Sequence, residues 1–431
     1  MNNKLKHILF LLLAFYVTFP FVLEKQHLVQ DIIFLAGCIL GIVINYKILL
    51  NQTNFFSPAN IMLILFVVLL SVCSLAYPIL LGTNDFSYFR GIYFTAFQLI
   101  ISHLALIIIF IKFFKEKATI DLLIKFYIGS CMLYIFSTFL LVSVPQLKEF
   151  WLSLLYISET DIGHLMKSQY STRVGIDGFA GFRHTLRFAI GTVLNCYLII
   201  KNLKNEKRTS WFIYIALFFL LMGTLLYGRI GSVVSIIALF VLLLLFLKYQ
   251  KTISLGIGLI IILLLGGLML IVIAMLSEPV RIWFTWAFEL IITFIQTGQL
   301  SSTSTDILFQ QMYFIPSLHD FVLGQGWFTD PISGGYFGGT DVGFLRSILF
   351  FGIIPTILNY AIPSFILIKI VRLLYKKDKL SSVILGFLML TLFVVFEVKG
   401  GIYHYLIPYI LPFYILVHYQ NDVDKSQIET L

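Results

Sequence analysis

Charge is what this sequence lacks. Only 12% of its 431 residues are Asp, Glu, Lys or Arg, about half the share a water-soluble domain carries, so an aqueous surface cannot enclose the whole chain. Cysteine is scarce as well. Cys38, Cys73, Cys131 and Cys196 all fall in apolar stretches at unrelated spacings, which indicates neither a disulfide framework nor a metal site. No internal repeat or low-complexity segment is present, and this removes support for the two-halved architecture of many transporters.

What the chain has is apolar length. Hydrophobic residues make up 59% of it, with a mean hydropathy of +0.97. A hydrocarbon core of roughly 30 Å takes about 20 apolar residues as helix, because no water is there to satisfy an open backbone. The sequence therefore predicts an all-α, polytopic integral membrane protein with about 12 transmembrane helices. They fall near residues 7–23, 28–46, 60–81, 91–112, 121–143, 187–201, 211–227, 230–248, 252–276, 344–371, 381–398 and 403–419. The first follows Lys4 and Lys6 like a signal peptide, yet no small-residue cleavage site follows it, so it reads as a retained span.

Lysine and arginine accumulate in cytoplasmic loops. With both termini cytoplasmic, nineteen of the thirty basic residues lie inside, among them the runs at 112–117, 201–208 and 376–379, against seven of the 21 acidic ones. The basic charge thus reports topology, and no nucleic acid is needed to explain it.

This orientation divides the chain into helices 1–5 (1–143), a first large external loop (144–186), helices 6–9 (187–276), a second large external loop (277–343), and helices 10–12 with a cytoplasmic tail (344–431). Long ordered loops usually carry function. Between Pro279 and Gln296 the second loop holds an apolar helix with Arg281, Thr285, Glu289 and Thr293 as a polar stripe. Counting it as a span would reverse the charge bias of the C-terminal third, so it reads as interfacial or buried in the loop.

Seven of nine arginines (Arg90, Arg173, Arg183, Arg187, Arg229, Arg281, Arg346) fall on the outer side, while lysine dominates the inner. Arginine offers a planar fork of donors that matches phosphate oxygens and keeps its charge when partly buried. Each could instead snorkel to headgroups or pair with an outer carboxylate. Arg183 and Arg187 are four apart, so on a helix they share a face, with His184 and Thr185 turned aside. Arg229, in YGRIG, could equally end a helix or bind a ligand.

A second cluster is GGYFGGTDVGFLRSILFFGII at 334–354. Its glycines let a backbone approach a ligand, Thr340 or Asp341 can cap the next helix, and Arg346 falls in that helix's first turns, where free N–H groups attract anions. His103 reads as a hydrogen-bonded core group. His164, His184 and His319 fall in or beside the outer loops, and His319, followed by Asp320, is a candidate base or a solvated loop histidine.

The span count, the two outer loops, the helix start GRIGSVVSIIAL at 228–239 and TDVGFLRSILFFGII at 340–354 resemble the Wzy-type O-antigen and capsular polysaccharide polymerases, which are similar in layout to the O-antigen ligases. Some members carry a glycine eleven positions after an arginine, a spacing that no arginine here has. The resemblance implies a glycosyltransferase C-type membrane fold in the bacterial cytoplasmic (inner) membrane. It implies transfer of a growing glycan from undecaprenyl pyrophosphate to another lipid-linked repeat unit, for lipopolysaccharide or capsule biosynthesis. Lipid-linked glycans, membrane lipids, a chain-length regulator and a flippase of the same pathway would be the partners, with no cofactor. A leaving pyrophosphate needs its charge stabilised, which suits Arg173, Arg183, Arg187, Arg229, Arg281 and Arg346. A base would deprotonate the acceptor hydroxyl, with Asp341 and His319 leading and Glu289, Asp320 and Asp177 in reserve. No metal is expected. An O-antigen ligase would use the same donor, and a flippase or other transporter would also have about twelve spans.

Overall fold

The computed structural model describes residues 3–24, 27–52, 57–166, 173–205, 209–248, 267–268, 271, 275, 278–299 and 301–429. The span expected at 252–276 lies almost wholly outside them. In chain order, α1 (Asn3–Thr18), α2 (His27–Ile44), α3 (Tyr46–Gln52) and α4 (Pro58–Leu80) lead into a π-helical turn (Phe89–Phe94) and α5 (Thr95–Phe114). There follow α6 (Ile120–Ser143), α7 (Pro145–Leu154), α8 (Glu159–Leu165), a hairpin of β1 (Val174–Gly175) and β2 (Gly178–Phe179), α9 (Phe182–Lys204), α10 (Trp211–Tyr227) and α11 (Arg229–Lys248). The remainder forms α12 (Glu278–Ala287), α13 (Glu289–Thr297), α14 (Thr303–Ile307), α15 (Leu318–Leu323), α16 (Gly343–Phe351), α17 (Ile353–Tyr375), α18 (Lys379–Glu397) and α19 (Tyr403–Glu429).

Among the described residues seven helical stretches are long and apolar enough to cross a membrane: Asn60–Leu80, Phe89–Lys117, Ile120–Ser143, Phe182–Lys204, Arg229–Lys248, Ile353–Tyr375 and Lys379–Glu397. Leu28–Ile44 and Trp211–Tyr227 are apolar but shorter. Local chemistry sets several boundaries. Pro58 opens α4, where its missing N–H is not needed. The Ser210 side chain accepts from Phe212 N at the start of α10, and Ser317 does the same for Asp320 N in α15. α1 ends at Thr18 rather than 23, because Pro20 drives Phe19 out of the helical region.

The chain divides into two compact units, each assembled from distant segments. One comprises Met1–Phe34, Asp121–Leu300 and Asp378–Leu392, the other Leu35–Ile120, Ser301–Lys377 and Phe393–Leu431. In the first, α9 is the central helix: from His184 to Ile200 every residue is buried, with α10 and α11 against it. Its polar residues are therefore held by protein. Thr185 donates to Thr224 O at 2.9 Å and Gly228 O at 2.7 Å, and Asn195 donates to Ile213 O at 3.0 Å. At the far end of α9, Lys201 pairs with Asp121 at 2.7 Å and Lys204 with Asp378 at 2.9 Å. In the second unit α5, α17 and α19 pack together around a polar seam in which Tyr88 meets Tyr403 at 2.6 Å and Tyr93 donates to Asn359 at 2.5 Å.

Three expectations need correction. The helix expected from Pro279 to Gln296 is two helices, because Phe288 (φ −103°, ψ 14°) leaves helical geometry between α12 and α13. The single span at 344–371 is α16 and α17, parted at Gly352 (φ 79°, ψ 178°). Pro355 follows in the first turn of α17, where it could not have continued the preceding helix. The helix expected to begin at 187 starts at Phe182, which puts Arg183 and Arg187 in its first turns.

Gly352 supports a mutational prediction. A Cβ there would stand 2.1 Å from Val322 O and 2.9 Å from Leu323 C, both backbone atoms that no rotamer change can move. The dihedrals themselves cost a non-glycine residue on the order of 1–3 kcal/mol. Gly352→Ala is expected to lower the thermal midpoint of the detergent-solubilised protein by several degrees. An unchanged midpoint would show that the joint is not constrained in this way.

Candidate functional site

The first unit gathers polar groups around the hairpin and the start of α9. Ile176 and Asp177 form the two-residue turn, with Val174 opposite Phe179 and Gly175 opposite Gly178. Gly178, the first residue after the turn, has φ 99°, in the region that favours glycine. Trp151 Nε1 donates to Ile176 O at 2.9 Å and holds the turn down. Gly175 is needed for another reason: a Cβ there would lie 1.8 Å from the Tyr134 hydroxyl oxygen. The absent side chain lets Tyr134, from α6, reach the turn.

Asp177 is the focus. Its Oδ1 accepts from the Tyr134 hydroxyl at 2.5 Å, and its Oδ2 lies 2.8 Å from His184 Nε2 and 3.8 Å from Arg187 Nη1. Burial pushes the carboxyl up, but the charge and hydrogen bond of His184, the Arg187 guanidinium and the Tyr134 hydroxyl outweigh it and hold it below the usual carboxylate range. An ionised Asp177 accepts, so Nε2 of His184 donates. Among the described residues the buried Nδ1 has no hydrogen-bond partner, and its site is lined by Tyr134, Tyr227 and Phe19, whose ring centres lie 5.1, 5.9 and 6.1 Å from the imidazole. That leaves Nδ1 as the nitrogen whose proton can be exchanged.

Two more arginines adjoin. Arg173 donates from Nε to Ala180 O at 3.2 Å and from Nη2 to Tyr227 O, so it closes the hairpin and ties it to the end of α10. Its guanidinium carbon lies 5.0 Å from the Phe179 ring and 5.1 Å from Trp286 of α12. Arg229, first residue of α11, lies 4.9 Å from the same indole and donates to Glu289 Oε2 at 2.6 Å. Trp286 is thus flanked by two cations.

Not every expected residue joins this group. Arg183 is exposed while Arg187 is 7% exposed, and His184 shares Asp177 with Arg187. The expectation that His184 turns aside is therefore corrected: the β-hairpin folds back over the first turn of α9 and offers His184 a carboxylate. Arg281 is a surface residue, 3.7 Å from Glu278 one turn earlier. His319 has its side chain 71% exposed, beside Asp320 at 3.4 Å. His103 is buried with Nδ1 2.8 Å from Leu99 O and an edge contact to Tyr409, the core role its position suggested.

In the second unit Arg346, near the start of α16, lies against Tyr336 (3.4 Å to the ring centre) and Phe328 (4.3 Å). Among the described residues its buried Nε has no hydrogen-bond partner. Asp341 does not cap α16. The N-cap is Val342, with no side-chain bond, and the Thr340 hydroxyl accepts from Val342 N at 3.1 Å. Burial raises the Asp341 carboxyl, an effect that Arg346 and Lys399 partly offset. A carboxyl raised on folding favours the protonated form, so the stability it adds is present below its unfolded pKa and lost as pH rises through the folded value. Asp341→Asn removes that penalty without removing a cap. It is expected to leave the thermal midpoint unchanged or higher at neutral pH, and a fall there would show that the charged carboxylate supports the fold.

No family model, curated protein or solved structure matches the chain.

Proposed function

We propose that the chain is a polysaccharide polymerase of the bacterial cytoplasmic membrane. It would move a growing glycan from undecaprenyl pyrophosphate to a lipid-linked repeat unit, in a frame of about twelve spans of glycosyltransferase C type. The observation that carries this reading is Arg187 on the buried Asp177–His184 pair, at one end of a buried helix long enough to cross a membrane, with Arg173 and Arg229 stacked on Trp286 in the same unit. Guanidinium groups fixed by stacking and by a buried carboxylate meet an incoming anion without reorganising, which is what stabilising a leaving pyrophosphate requires.

In the reaction an acceptor hydroxyl oxygen bonds to the anomeric carbon, the bond from that carbon to pyrophosphate oxygen breaks, and the carrier departs with the electron pair. The hydroxyl proton passes to a base. His184 Nδ1 suits the task because Asp177 orients the ring through the other nitrogen. Asp341 suits it because burial raises its carboxyl above the ordinary carboxylate range, which makes the ionised form a stronger base. Chain-length regulator and flippase would be partners of such an enzyme.

The transporter reading draws on a different observation: each unit buries an ionisable side chain on a membrane-length helix, Arg187 in the first and Glu397 in the second, and such residues often serve transport. Deleting the gene and analysing the glycans separates the possibilities. Loss of a polymerase leaves lipopolysaccharide or carrier bearing one repeat unit. A ligase deletion would leave no repeat attached, and a flippase deletion would strand units on the inner leaflet.

A further inference from the structure

The stretch between Tyr313 and Leu323 combines apolar side chains, exposure and a fixed position in a way that its sequence does not announce. Residues 313–317 have no regular structure, and α15 follows. Ile315 is 97% exposed and Leu318 80%, with Phe314, Phe321, Val322 and Leu323 exposed beside them. An ordinary loop over water would turn such residues inward or replace them.

The stretch is also anchored. The Tyr77 hydroxyl donates to Leu323 O, and Tyr77 lies three residues from the end of the membrane-length stretch Asn60–Leu80. Thr83, just past that end, donates to Gly326 O at 2.9 Å. On the other side, Gln325 N donates to Leu349 O at 2.7 Å and Gly326 N to Phe350 O at 3.1 Å, which locks the chain to α16. α15 is therefore held beside the Leu80 end of α4. The apolar surface of α4 continues there, with Leu80 81% and Ile79 59% exposed.

We propose that residues 314–323 rest in the lipid interface beside the Leu80 end of α4, a lip of the second unit set into the headgroup and upper acyl region. Continuity with the outward face of a membrane-length helix identifies lipid as the occupant. The depth is limited from both sides. Irregular backbone at 313–317, without the internal pairing of a helix, cannot enter hydrocarbon, and His319, 71% exposed on α15, belongs at the polar boundary. Apolar side chains directed to lipid below a polar edge are the arrangement of an interfacial helix. The proposal does not depend on the enzymatic reading, since it concerns only where this segment lies.

The test uses the full chain with Cys38, Cys73, Cys131 and Cys196 replaced by alanine, carrying one cysteine at Ile315→Cys, Leu318→Cys or Ser333→Cys. Ser333 is exposed in the turn at Asp330 and serves as the aqueous reference. Each variant is labelled with a polarity-sensitive fluorophore and reconstituted into phosphatidylcholine vesicles. Lipids with a nitroxide high on the acyl chain are expected to quench labels at 315 and 318 at least threefold more than at 333, and iodide in the buffer should do the reverse. Iodide reaching 315 and 318 as readily as 333 would overturn the proposal. So would labels shielded from both quenchers, because protein, such as a second copy of the chain, would then cover the patch.

Discussion

Replacing Asp177 by alanine is expected to destabilise the protein by about 3–5 kcal/mol, the cost of removing one partner from a buried charged set. Arg187 is 7% exposed, and its guanidinium has Asp177 at 3.8 Å. Without the carboxylate, Tyr134 and His184 lose their acceptor at the same time. Asp177→Asn keeps the shape and an acceptor oxygen for Tyr134, so its loss should be smaller. The pH dependence supplies a second signature. Because the folded state holds this carboxyl below the usual value of 3.8, the stability it lends is complete above about pH 4 and is lost as pH falls through the lower folded value. In detergent, the thermal midpoint of the wild type should therefore fall on acidification more steeply than that of Asp177→Asn. A midpoint within a degree of wild type for Asp177→Ala would show that the cluster is not held by this residue.

The second large effect separates two arginines that look equivalent in sequence. Arg187→Lys keeps a positive charge but loses the planar fork and the face that lies 5.1 Å from the Phe19 ring. A hydrogen bond to a charged group contributes about 1.5–3 kcal/mol, so polymer should drop roughly ten- to a hundredfold at unchanged membrane abundance. Arg183→Lys, at an exposed position on the same helix, should still make full-length polymer. Chain length on a gel, beside the amount of inserted protein, reads both. Normal polymer from Arg187→Lys would end its assignment to pyrophosphate, whereas loss of polymer with loss of protein would mark it as a fold residue.

Helical spans were legible because length and hydropathy alone determine them: Asn60–Leu80, Ile120–Ser143 and Arg229–Lys248 fall within a few residues of their expected positions. Breaks were less so. Gly352 and Pro355 do signal the joint between α16 and α17, but the apolar run around them hides it. Phe288 carries no glycine or proline signal, and the tertiary contact of Glu289 with Arg229 accompanies the break there. At the site, arginine enrichment pointed to Arg173, Arg187 and Arg229, and Asp177 followed by Gly178 was an available turn signal. The partnership of His184 with Asp177 follows from how that hairpin folds back on α9, which spacing along the helix cannot express. Trp286 and Tyr134 belong to the same class of residue, found through distant contacts rather than local pattern.

The central claim is transfer of a glycan from a lipid pyrophosphate. Its most direct test is to reconstitute the purified chain in liposomes with lipid-linked repeat units alone, then follow glycan length and free undecaprenyl pyrophosphate together. The account predicts a ladder of polymer with one carrier released per added repeat, both reduced roughly ten- to a hundredfold in the Arg187→Lys protein. Inserted, folded wild-type protein that yields neither polymer nor released carrier would contradict it.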